Sequence, residues 1–302
     1  MKITEKYVVN LILSIVLVFS SLGVGLSFFA KEYILSSETF IDVSDEKDIP
    51  QKVYDEINEY FVKSEAYSGI PADVYMSAIS VDDIENLIDM KLSSLFTYIY
   101  AEGEGERDDL DFLDTEGSFD YEQKLEKNVT DFFDEFALEN NVEVDDNYNA
   151  QLQKTIDTAN SEINNFTDVY MLSLIDDTGI IAKIRTLYKF LDPIIYACAG
   201  LTGLCVVLII VFSRKYIANI FYWIATSVMC MSVLSLVPVL VVKLSGITDR
   251  LIIRNKCTYT AYTALFSDIM NTLVIDLIFV FAVGAVILSI GVIISKIGKK
   301  NV

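Results

Sequence analysis

The chain has 302 residues, is 53% hydrophobic, and carries 43 acidic against 23 basic residues, a net charge of -20, with no histidine. So high an apolar fraction beside so large a charge is incompatible with a single soluble globule. The missing imidazole excludes Ser-His-Asp and Cys-His catalysis, the His-Glu-x-x-His zinc site and any histidine proton shuttle.

The conflict is resolved by position. Residues 31–192 hold 12 Lys and Arg against 39 Asp and Glu, a net of -27, whereas the remainder holds 11 against 4, a net of +7. The sequence therefore predicts an all-α chain: four transmembrane helices with a large acidic helical extracytoplasmic domain inserted between the first and second. After a short N-terminus at 1–7 containing Lys2 and Lys6, residues 8–30 form an apolar run of the length a bilayer requires. It ends in Phe28-Phe29-Ala30, without a small-x-small cleavage site, and reads as a retained signal anchor. Asn10 within it is expected near the inner headgroups.

The acidic domain, 31–192, shows helical periodicity. Val53, Ile57, Tyr60 and Phe61 form one stripe; Ile84, Leu87, Ile88, Leu92, Leu95, Phe96 and Ile99 form a second, preceded by Ser80 and Asp83 as a capping box. Between them Ser68-Gly69-Ile70-Pro71 is a helix stop, because Gly accepts a left-handed cap and Pro cannot continue the ladder. With this turn placed after Val53-Tyr54-Asp55-Glu56-Ile57, residues 33–100 resemble uncharacterised four-span bacterial membrane proteins. The resemblance implies a topology and no activity.

An acidic loop follows. Its Glu102, Glu104, Glu106, Asp108, Asp109 and Asp111 are candidates for diffuse cation binding, but the EF-hand spacing is absent and like charges repel. A third stripe is Leu125, Val129, Phe132, Phe133 and Phe136. The fourth, Leu152, Ile156, Ala159, Ile163, Phe166, Tyr170 and Leu174, has coiled coil-like spacing and predicts one long helix. Asp176-Asp177-Thr178-Gly179 breaks it, and residues 180–191 read as a short amphipathic helix at the membrane surface, ending where Asp192-Pro193 opens the second span.

Residues 193–213 and 217–242 are the second and third spans, a hairpin around Arg214-Lys215; Pro238 is expected to bend the third. An outer loop at 243–271 leads to the fourth span, 272–295, and a basic tail, 296–302. The density of Lys and Arg in the shortest segments places both termini in the cytoplasm and 31–192 outside, as a multi-pass protein of the plasma membrane. Cys198, Cys205 and Cys230 lie in spans and Cys257 in the outer loop, so no disulfide framework supports the acidic domain.

Asp276 is the intramembrane polar candidate. An ionised carboxylate at such depth costs ~2–3 kcal/mol or more, so a cation is expected beside it: Lys243, Arg250 or Arg254. Gly23 and Gly25, Ala199 and Gly203, and Ala285 and Ser289 are small residues expected at close helix contacts. The layout is also similar to that of the permease-like subunit that pairs with a cell-division ATPase. That family has a longer cytoplasmic N-terminal segment and a helical inner loop, and both are missing here.

Three function classes follow. The first is a non-enzymatic envelope protein whose outer domain binds a partner as scaffold, sensor or accessory subunit; the second is an oligomeric channel or transporter subunit using Asp276; the third, a membrane enzyme, lacks a motif. No cofactor and no nucleic acid are expected, and the partners are the lipid bilayer and an envelope protein or a second copy of the chain.

Overall fold

A computed structural model describes residues 3–101, 120–250, 252–253 and 255–300. All regular structure among them is helical: α1 (Ile3–Phe29), followed by a π-helical turn (Ala30–Ile34), α2 (Ser37–Glu46), α3 (Ile49–Ser68), α4 (Ala72–Met76), α5 (Val81–Tyr100), α6 (Asp120–Asn140), α7 (Asp146–Thr167), α8 (Leu172–Asp177), α9 (Ile180–Ser213), α10 (Ile217–Leu244), a 3-10 turn (Thr248–Arg250) and α11 (Lys256–Lys300). Two compact units result. One comprises Met1–Ser36, Thr186–Leu251 and Phe266–Val302; the other comprises Ser37–Arg185 and Ile252–Leu265.

The second unit holds the acidic sequence, and several of its helix ends are closed by side-chain or backbone caps that satisfy orphan backbone groups. Ser80 caps α5 in a reciprocal box, its hydroxyl accepting from Asp83 N at 3.2 Å while its own N–H donates to Asp83 Oδ2 at 2.8 Å. Gly69, at φ +72°, ends α3 with its N–H on the Glu65 carbonyl. Asn141, at φ +52°, turns the chain after α6, and Val142 N–H closes on the Ala137 carbonyl, a left-handed cap of the kind that Asn tolerates. The core consists of the predicted stripes: Val53 and Ile57 on α3, Ile84, Leu87 and Leu92 on α5, Leu125 and Val129 on α6, and Ile163 on α7 are all at most 1% exposed. Each such side chain contributes ~1.5–3 kcal/mol by leaving water.

Two expectations about this region fail for identifiable reasons. The fourth stripe is not one helix: α7 ends at Thr167, because the Asp168 carboxylate accepts from Leu172 N at 2.7 Å and Ser173 N at 3.1 Å and so caps α8, while Met171 takes φ +50°. Tyr170 stays buried in that turn, its hydroxyl donating to the Phe40 carbonyl at 3.1 Å, but Leu174 is 54% exposed. Residues 180–191 likewise do not form a separate helix, since α9 runs unbroken through Pro193. Proline removes one ladder bond, and a strongly apolar helix tolerates that loss where neighbouring groups re-satisfy the freed carbonyl.

The first unit contains α1, α10 and most of α9 and α11. Four helical stretches, Lys6–Ile34, Ile180–Ser213, Ile217–Arg250 and Lys256–Ile297, are long and apolar enough to cross a membrane. Leu17, Cys205, Ile209 and Trp223 form the buried centre of this unit. Polar side chains bond across helices around it: Asn10 Nδ2 donates to Ser213 Oγ at 2.8 Å, Thr202 Oγ1 to Ser20 Oγ at 2.9 Å, and Ser232 Oγ to the Leu277 carbonyl. Asn10 is only 5% exposed and faces a neighbouring helix. All four cysteines are free.

The small residues divide. A Cβ on Gly23 would meet Cys198 Sγ at 2.8 Å, and one on Gly25 would meet Met231 Cε at 3.2 Å. Gly203, by contrast, has nothing within 4 Å, Ala199 is exposed, and Ser289 is exposed with its hydroxyl on the Ala285 carbonyl of its own helix. Close approach on α11 instead occurs at Gly284, against Met229, and at Gly291, against Phe221. Spacing alone does not say which face of a helix meets a neighbour, and seven residues, about two turns, separate the glycines that do.

Candidate functional site

In the acidic unit α3, α6 and α7 leave a groove of about 820 Å3. Tyr60, Phe61, Tyr67 and Tyr75 line it from the α3–α4 side, and Phe132, Phe133 and Phe136 from α6. The rings on α6 cannot all be absorbed by packing. Leu125 and Val129 are fully buried, but three aromatics in five positions spread around more of the helix than one apolar stripe covers. Phe133 therefore rests edge-on against Tyr148, with centroids 5.8 Å apart, and Phe136 stays 50% exposed. Phe61 stacks on Tyr75 at 4.2 Å and 13°, while Tyr67, in the last turn of α3, is 76% exposed.

The facing wall is polar. Gln151, Thr155, Thr158 and Glu162 line the groove from α7, each one residue before a position of the apolar seam Leu152, Ile156, Ala159 and Ile163. One residue is ~100° of helix rotation, so the seam and the groove wall are adjacent faces of one helix. This second register is legible in the sequence as polar residues spaced 4, 3 and 4 apart beside the apolar stripe.

Electrostatically the lining is almost neutral, with Lys154 as one cation and Glu162 as one anion. Burial pushes the Tyr75 phenol up to about 12. Burial, followed by the nearby charge of Glu162, also raises Tyr60. Ser64 is occupied, donating to the Phe61 carbonyl at 2.9 Å. Phenols, an amide and hydroxyls thus stand beside exposed rings in one concave lining.

Asp276 lies on α11 and borders a separate cavity of about 380 Å3 in the apolar unit, whose other polar liners are Tyr33 of the π-helical turn and Ser235 of α10. Among the described residues it has no ion-pair or hydrogen-bond partner. The expected cation is engaged elsewhere, since Lys243 Nζ donates to Asn271 Oδ1 at 2.5 Å. Arg250 is exposed in the 3-10 turn, and Arg254 lies outside the described residues, as do Glu102, Glu104, Glu106, Asp108, Asp109 and Asp111.

One buried charge is set by tertiary packing and not by sequence pattern. Lys91, 3% exposed on α5, donates to the Asn164 carbonyl at 2.7 Å and to Thr167 Oγ1 at 2.9 Å. Burial pulls its ammonium down to about 8, opposed by Asp168. With both donor bonds going to the end of α7, it is a strut between helices. Arg185 sits 4.7 Å from the ring centre of Tyr98, a cation–π contact within the same unit. No family model, curated protein or solved structure matches this chain.

Proposed function

We propose that this is a non-enzymatic, multi-pass protein of the bacterial plasma membrane, whose acidic helical unit stands on the outer side and binds a partner in the aromatic groove. The membrane reading is supported by outward-facing apolar rows such as Leu201, Leu204 and Val207 on α9, which are 43–56% exposed. An apolar surface of that extent is stable in lipid and not in water. Density of Lys and Arg in the short segments supports the orientation.

One observation carries the binding role: Tyr67 and Phe136 are large, exposed rings that line the same groove, and exposed aromatics in concave sites are what partners bury. A photoreactive residue at position 136 of the membrane-embedded chain should give a discrete cross-linked species, lost with Tyr67→Ser. A probe at Val62, exposed but outside the groove lining, should not give it. Identical adducts from both positions would remove the reading.

The carboxylate of Asp276, which borders a cavity and has no partner among the described residues, favours a second reading, an ion-conducting or transporting homo-oligomer. Asp276→Asn should then abolish ion flux in reconstituted vesicles, whereas a binding protein should be unaffected.

A further inference from the structure

The groove opens beside a surface of one charge sign. Residues 131–146, the second half of α6 and the turn into α7, carry seven Asp and Glu and no Lys or Arg. Asp131 is paired with Lys127 at 2.6 Å, Asp145 caps α7 by accepting from Tyr148 N at 2.8 Å, and Asp134 lies 3.5 Å from the Tyr148 hydroxyl. Glu135, Glu139, Glu143 and Asp146 have no cation at ion-pair distance among the described residues. Apolar side chains are exposed between them: Phe136 is 50%, Leu138 81%, Val142 41% and Val144 59% exposed. Exposed apolar groups interleaved with uncompensated carboxylates attract a partner that offers cations and apolar anchors together, and repel polyanions.

Resting on the groove being a binding site, we infer that its occupant is a basic segment of another protein, with Lys or Arg meeting the carboxylates of 135–146 and an aromatic or large aliphatic side chain seated among Tyr67, Phe132 and Phe136. The exposed rings also provide faces on which a guanidinium or ammonium packs. Charge then sets the encounter rate and the partner class, and the rings set the dissociation rate.

The test uses the full chain in phosphatidylcholine nanodiscs, a lipid without net charge, and short fluorescent peptides of three kinds. One alternates Lys with Trp and Leu, one replaces Lys by Glu, and one keeps Lys but replaces the apolar residues by Gly and Ser. The Lys/Trp/Leu peptide should bind roughly tenfold or more tighter than either control. Phe136→Ala with Tyr67→Ser, which leaves the net charge unchanged, should weaken it by a similar factor. Glu135→Gln with Glu139→Gln and Glu143→Gln should weaken it and flatten its salt dependence. Equal binding of the Gly/Ser peptide, or indifference to the ring substitutions, would reduce the attraction to diffuse charge and overturn the inference. If the Glu peptide binds equally well and the ring substitutions abolish its binding, the groove stands and the basic occupant falls. If no peptide binds in a ring-dependent way, both fall.

Discussion

Lys31 Nζ lies 2.7 Å and 2.9 Å from the two carboxylate oxygens of Asp192, 161 residues further along the chain. The ammonium is also 5.7 Å from the ring centre of Tyr188. The π-helical turn that follows α1 is thereby tied to α9 at the residue before Pro193. Asp192 is 47% exposed, so solvent screens the pair, and its coupling should be near the upper end for exposed pairs, roughly 0.5–1 kcal/mol. A double-mutant cycle of Lys31→Met and Asp192→Asn, followed by unfolding in mixed micelles, measures it. Zero coupling would mean that the two helices are held without the pair.

Phe61 and Phe136 line one groove but should behave differently. Phe61 is 3% exposed and stacked on Tyr75, so Phe61→Ala should cost ~3–5 kcal/mol. Phe136 is half exposed, and Phe136→Ala should cost less than about 1 kcal/mol while removing partner binding. Chemical unfolding followed by circular dichroism distinguishes them, and similar costs would contradict the groove geometry.

Three glycines separate strain from space. Gly69 has φ +72° and no atom within 4 Å of an added Cβ, so Gly69→Ala tests the left-handed backbone alone, with an expected loss of ~1 kcal/mol. Gly203 is helical and open, and Gly203→Ala should be neutral or stabilising by up to ~1 kcal/mol. At Gly284 a Cβ would lie 2.7 Å from Met229 Cγ and 3.3 Å from its backbone N, so Gly284→Ala should destabilise by ~1–3 kcal/mol. Thermal melting in detergent should rank them 203, 69, 284 in rising cost.

Alkaline pH should act in two opposite steps. Burial lowers Lys91 from 10.5 to about 8. Below pH 8 it is charged whether the chain is folded or not, and the buried charge opposes folding in full. Between about 8 and 10.5 the folded chain releases the proton while the unfolded chain keeps it, so stability rises with pH. Burial raises Tyr75, Tyr121 and Tyr170; above about 10 the unfolded chain ionises these phenols first, and stability falls. Denaturation midpoints at several alkaline pH values should pass through a maximum near pH 10. Lys91→Met should remove the rising limb and keep the fall, whereas an unchanged profile would place the titration elsewhere.

Orientation has a direct readout. Reporters inserted at Gly105 and fused after Lys300 should appear in opposite compartments, the first outside and the second in the cytoplasm. Finding both on one side would overturn the membrane arrangement proposed above.

The sequence by itself determined that the chain is helical, which four segments are apolar enough to cross lipid, and which stripes form the core of the acidic unit. Those properties follow from local periodicity and from backbone caps such as Ser80 with Asp83, whose partners are three residues apart. Tertiary structure alone decided the rest. It joined 180–191 to the span through Pro193, brought Gly284 and Gly291 into close approach while leaving Ser289 exposed, gave Lys243 to Asn271 and, among the described residues, left Asp276 without a partner. It also left the rings of Phe132, Phe133 and Phe136 short of cover, so that the end of the third apolar stripe became the wall of a groove. The physical reason is the same throughout: periodicity says that a face is apolar, but only the positions of neighbouring helices decide how much of that face is filled.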